Sequence, residues 1–109
     1  MATNRFQLHV APTNGVPRPT EVTVTGEVDA ATASEFRRAV AELPGPHPLI
    51  LNLSPAFYFD SAGFAALDRL KADHVIVLVI EPDSTLFKAA ELMCMSSYPT
   101  IADARQALQ

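Results

Sequence analysis

The sequence is short of cysteine, of long apolar runs and of clustered positive charge, and each shortage removes a class of function. Its one cysteine, Cys94, cannot close an internal disulfide or build a thiolate metal cage. That agrees with a reducing compartment. The longest uninterrupted apolar run, Val75 to Ile80, falls far below the ~20 residues that cross a bilayer. Met1 to Arg5 opens no secretory hydrophobic region. The expectation is a cytoplasmic protein with no membrane insertion. Eight basic residues face twelve acids, for a formal charge of -4, and only Arg37 and Arg38 are adjacent. With no basic stripe to neutralise a phosphate backbone, direct nucleic-acid binding is not expected. His9, His47 and His74 are scattered without ligand spacing, and no serine sits in a nucleophile elbow. No metal, cofactor or catalytic centre is expected, so the chain reads as a binding protein and not an enzyme.

What is present suffices for one compact domain over residues 1–109. The chain is 49% hydrophobic, carries nine prolines and has room for one core. Phe6 to Val10 reads as a short strand, and Pro12 to Pro19 as a loop, because proline cannot complete a hydrogen-bonded ladder. Val22 and Val24 alternate with Glu21, Thr23 and Thr25, the pattern of a half-buried strand that pairs with the first as an antiparallel hairpin. Thr32-Ala33-Ser34-Glu35 has the spacing of a capping box, which predicts a helix start. Phe36, Ala39, Val40 and Leu43 then form one apolar stripe, ended by Pro44-Gly45-Pro46. Leu49 to Leu53 is a further strand. Phe64, Leu67 and Leu70 mark a second helix, and Val75 to Ile80 reads as a strand covered on both faces. A third helix is expected to bury Leu86, Ala89, Ala90 and Met93, and a fourth Ile101, Ala104 and Leu108. Cys94, between two methionines, is expected to be a packed core thiol and not a redox sensor or nucleophile. Alternating strands and helices behind a leading hairpin define an α/β class.

The segment Asp60-Ser61-Ala62-Gly63-Phe64 follows the Leu49 strand and opens the second helix. Ser61 therefore stands at a helix N-terminus, where unpaired N–H groups and the positive end of the dipole tolerate an anion. A simpler reading is that Ser61 or Asp60 only caps the helix. Asp29 is likewise open to two readings, a turn-forming residue or a docking carboxylate. Gly63 permits close backbone approach at the helix start.

Two separated segments carry a family resemblance. Gly26-Glu27-Val28-Asp29-Ala30-Ala31-Thr32-Ala33 resembles a Gly-Glu-Leu-Asp segment followed by a Thr-capped helix. Asn52-Leu53-Ser54 and Phe59-Asp60-Ser61-Ala62-Gly63-Phe64 resemble an Asp-Ser-Ser/Thr-Gly-Leu signature at a strand-to-helix turn. Both belong to the STAS domain of anti-sigma-factor antagonists. The resemblance implies a STAS fold, with a mixed, mostly parallel sheet of four or five strands and about four helices. It further implies that Ser61 is phosphorylated by an anti-sigma factor that is also an ATP-dependent serine kinase. The unphosphorylated protein would bind that kinase and free a sigma factor; the phosphorylated form would let go until a phosphatase resets it. Asp29, Asp60, Ser61, Ala62, Gly63 and Phe64 would form the partner-binding surface. Ala62 stands where a second hydroxyl residue is usual, which leaves Ser61 as the acceptor. The other function open to such a domain is that of an unswitched adaptor subunit in a transport or stress-signalling complex.

Overall fold

Valine alternating with threonine makes one strand the axis of the sheet. The computed structural model describes residues 5–12, 19–43 and 48–108. In it that alternation becomes β2 (Thr20–Val28), with Val22, Val24 and Val28 buried on one face. β1 (Phe6–Val10) pairs with it antiparallel, Leu8 opposite Val24, as the hairpin reading expects. β3 (Leu49–Asn52) lies parallel to the first half of β2, and β5 (Ile76–Val79) lies parallel to β3. The second half of β2 takes a different parallel neighbour, β4 (Ala56–Phe59). The order is β1-β2-β3-β5 with β4 beside β2, which is the expected mixed, mostly parallel sheet.

The strand β4 was not foreseen from the sequence, and its pairing explains why. Gly26 pairs with Ala56 but Glu27 with Tyr58, so Phe57 is an extra residue bulged out of the ladder. The bulge breaks the period of two: Ala56 and Phe59 are buried while Phe57 and Tyr58 between them are exposed. Opposite the bulge, Gly26 adopts φ +89, and a Cβ there would lie 2.0 Å from the carbonyl oxygen of Arg5. Only glycine lets β1 approach this closely.

Four helices complete the described fold. α1 (Ala33–Ala41), α2 (Ser61–Asp73) and α3 (Phe87–Leu92) enclose the larger core, with Phe36, Val40, Phe64, Leu67, Leu70 and Leu86 packed against the sheet. A chain of aromatic contacts joins β1, α1, β4 and α2. Phe36 meets Phe6 and Phe59 edge-on at 5.5 Å each, and Phe59 meets Phe64 at 5.7 Å. Such pairs add about 0.5–1.5 kcal/mol each beyond their burial. α4 (Ile101–Ala107) covers the other face, where Ala104 packs on Ile50 and Val79, flanked by Ile101 and Leu108. Arg105 of α4 forms a two-pronged ion pair with Glu21 of β2, anchoring the helix across the sheet. Tyr98 extends the sheet past β5: its N–H donates to Leu78 and its carbonyl accepts from Ile80.

Three local expectations are corrected. The capping box does not form, because the Thr32 hydroxyl accepts from the N–H of Asp29 (3.0 Å) and makes no bond to its own helix. Met93 is exposed, and its place in the core is taken by Met95. Cys94 is exposed rather than packed. It is the left-handed residue (φ 57) that ends α3: its N–H donates to Glu91 and that of Met95 to Ala90. This pairing is the Schellman motif, and it turns Met95 inward while turning Cys94 out. The prolines expected to stop α1, and most of the Pro12–Pro19 loop, lie outside the described residues.

Candidate functional site

Two parallel strands end at the same height. Val28 of β2 pairs with Phe59 of β4, so Asp29 and Asp60, which follow them, leave the sheet as neighbours. They stand at the carboxyl ends of parallel strands, the edge where α/β proteins bind ligands.

Asp60 is the N-cap of α2. Its backbone is extended (φ -93, ψ -172), and Oδ1 accepts from the N–H of Gly63 at 3.0 Å. Oδ2 accepts from the N–H of Ala30 at 3.1 Å, which ties the β2–α1 turn to the start of α2. Its own N–H donates to Val28 (3.2 Å). One carboxylate thus organises both turns. Gly63 completes the fit, since a Cβ there would lie 2.8 Å from both the Phe59 ring and the Val28 carbonyl oxygen.

Asp29 folds its turn from within. Its Oδ1 accepts from the N–H of Ala31 at 3.0 Å and from the Thr32 hydroxyl at 3.3 Å. Its carbonyl accepts from Thr32 and Ala33, and its other carboxylate oxygen pairs with Arg5. Partial desolvation pushes this carboxyl up, but the Ala31 N–H, the Arg5 guanidinium and Thr32 together outweigh it. The result lies below the ordinary aspartate value, so Asp29 is ionised across the neutral range. The turn-forming reading of Asp29 is thereby realised, with Arg5 as an added partner that the sequence did not announce.

Ser61 is the first residue of α2 and is exposed. The cap belongs to Asp60, so the Ser61 hydroxyl carries no cap duty. The structure brings Asp29, Asp60, Ser61 and Ala62 to one corner, but not all of the motif reaches the surface. Gly63 is buried and Phe64, 1% exposed, belongs to the core. Both position the corner from below and present no face to a partner. Two residues that sequence reasoning passed over are exposed instead: Phe57 is 67% exposed and Tyr58 47%. The run Phe57-Tyr58-Phe59 after Pro55 was the available signal, but only the bulge shows which ring points inward.

Among the described residues no cluster of three or more His, Cys, Asp or Glu is arranged to hold a metal. No helix among them is long and apolar enough to cross a membrane.

The architecture is an α/β domain in which two strand-to-helix turns meet at one corner. The family model of the STAS domain matches residues 11–74, more than half of the chain. The chain belongs to the STAS domain family. In fold it is similar to a crystal structure of an anti-sigma factor antagonist from Mycobacterium paratuberculosis. The two share 24% identity, with a TM-score of 0.67 over 94% of this chain and 93% of the other. Comparison with curated proteins gave no match.

Proposed function

We propose that this protein is a cytoplasmic anti-sigma factor antagonist of bacterial type, controlling transcription by binding an anti-sigma factor and so releasing a sigma factor. The anti-sigma factor is an ATP-dependent serine kinase that phosphorylates Ser61, and a phosphatase resets the protein. The observation that carries this reading is the division of labour at α2. Asp60 supplies the cap, while Ser61 beside it is exposed and has no part in holding the helix.

A phosphate on Ser61 brings about -1.5 to -2 charges to the positive end of a helix. The fold accommodates it there. A partner cannot: one carboxylate at ~5 Å, with an effective dielectric of ~20, meets roughly 3 kcal/mol of repulsion per unit charge before screening. About half of that shifts affinity tenfold. The docking face comprises Asp29, Asp60, Ser61 and Ala62, with Phe57 and Tyr58 as aromatic anchors of the kind enriched at binding hot spots.

The test is capture from a lysate of the source organism with wild type, Ser61→Ala and Ser61→Asp as baits. An anti-sigma factor with an ATP-binding kinase fold is expected on the first two and not on the third. Equal recovery of one partner by all three would instead make the protein an unswitched adaptor.

A further inference from the structure

α1 and α2 follow parallel strands and lie side by side, leaving a groove between them. Ala33, Ser34 and Arg37 of α1 line it from one side, and Ala62, Ala65 and Arg69 of α2 from the other. Ala62, Ala65 and Arg69 recur at i, i+3 and i+7, so they share one stripe of α2. The groove begins next to Ser61 and carries a guanidinium on each wall.

The charge of this groove runs against that of the molecule. The chain carries a formal charge of -4, yet no carboxylate lines the groove. The ion pairs among the described residues are Arg5 with Asp29 and Arg105 with Glu21, so neither Arg37 nor Arg69 is neutralised. A floor of small side chains admits the close approach of a helix, and two unpaired guanidiniums attract the carboxylates such a helix can carry.

We propose that the α1–α2 groove seats an acidic helix of the partner protein, with its carboxylates on Arg37 and Arg69. Small residues on the helix face the alanines, in the helix-in-groove mode. The inference rests on the Ser61 reading in one respect, that the partner is the same. It then explains what the switch acts on: the acidic helix drawn in by Arg37 and Arg69 is the one a phosphate at Ser61 repels.

The probe is a synthetic amphipathic helix of about 15 residues, with glutamates on one edge and alanines on its face, titrated into the 15N-labelled protein. A lysine-for-glutamate peptide and a single-stranded oligonucleotide serve as controls. Amide shifts confined to α1 and α2 are expected with the glutamate peptide alone. They should weaken about tenfold or more in Arg37→Glu/Arg69→Glu and return in Arg37→Lys/Arg69→Lys, with unchanged melting midpoints in both. Arg37→Gln/Arg69→Gln, which adds no repulsion, should fall between them. No shifts in the groove, or equal shifts with the lysine peptide, would overturn the proposal, and so would comparable binding of the oligonucleotide. Ser61→Asp separates the two readings. Weakened peptide binding supports the coupling, whereas full binding with an intact arginine dependence keeps the groove and removes Ser61 from it.

Discussion

The β2–α1 and β4–α2 turns leave adjacent strands from paired residues, and each begins with an aspartate, yet they solve the helix start differently. Asp29 spends its carboxylate on its own loop and on Arg5. Asp60 spends its carboxylate on the N–H of Gly63 and, across the gap, on that of Ala30. The first turn is folded by its own aspartate and tied to Arg5. The second also holds its neighbour, and it does so without the serine beside it. The proposed phosphorylation of Ser61 relies on this separation between the group that maintains the fold and the group that changes.

Substitutions along the second turn break the comparison most severely. Gly63→Ala drives a Cβ against the Phe59 ring and the Val28 carbonyl, and is expected to lower unfolding free energy by about 1–3 kcal/mol. Urea denaturation measures it. Asp60→Ala removes the cap and leaves the Ala30 N–H without its acceptor, with an expected loss of about 1–2 kcal/mol. Faster hydrogen exchange should then appear at Gly63 and at Ala30, since one carboxylate serves both; exchange confined to α2 would show that the two turns are independent.

Asp29→Asn sharpens the contrast through pH. The folded carboxyl lies below its ordinary value of 3.8, so its contribution is complete above the unfolded value and fades as pH falls through the lower folded one. The stability difference between wild type and Asp29→Asn should be constant from neutrality down to about pH 5 and shrink below the unfolded value. A difference that grew on acidification would contradict the assignment. Ser61→Ala marks the small end of the series. Its melting midpoint should correspond to less than about 0.5 kcal/mol of change, as for a surface position with no structural partner.

Much of the fold could be read from the residues, because the apolar periods are regular where one face of an element packs. Val22 and Val24 gave β2 its face, and Phe36 with Val40, and Phe64 with Leu67 and Leu70, gave α1 and α2 theirs. Legibility failed where a contact remote in sequence decides the outcome. The bulge at Phe57 lies where the pairing of β4 with β2 shifts register between Gly26 and Glu27, so alternation could not reveal the strand. Thr32 has the spacing of a capping box, but Asp29 competes for its hydroxyl. Cys94 has apolar neighbours in sequence, yet the left-handed turn after α3 points Met95 inward instead. At the site, the resemblance named Asp29, Asp60 and Ser61 together, but the strand that carries Asp60 there, β4, was not legible. The motif did not tell which residues face solvent: Phe64 is core and Phe57 is surface. Nor did it assign the capping between Asp60 and Ser61, which depends on a backbone geometry that either residue type allows.

The central claim is that the Ser61 oxygen governs association without supporting the fold. Calorimetric titration of the captured anti-sigma factor into unmodified and stoichiometrically Ser61-phosphorylated protein, at ~0.15 M salt, addresses it directly. The account predicts at least about a tenfold weaker affinity for the phosphorylated form. Equal affinity of the two forms would contradict it.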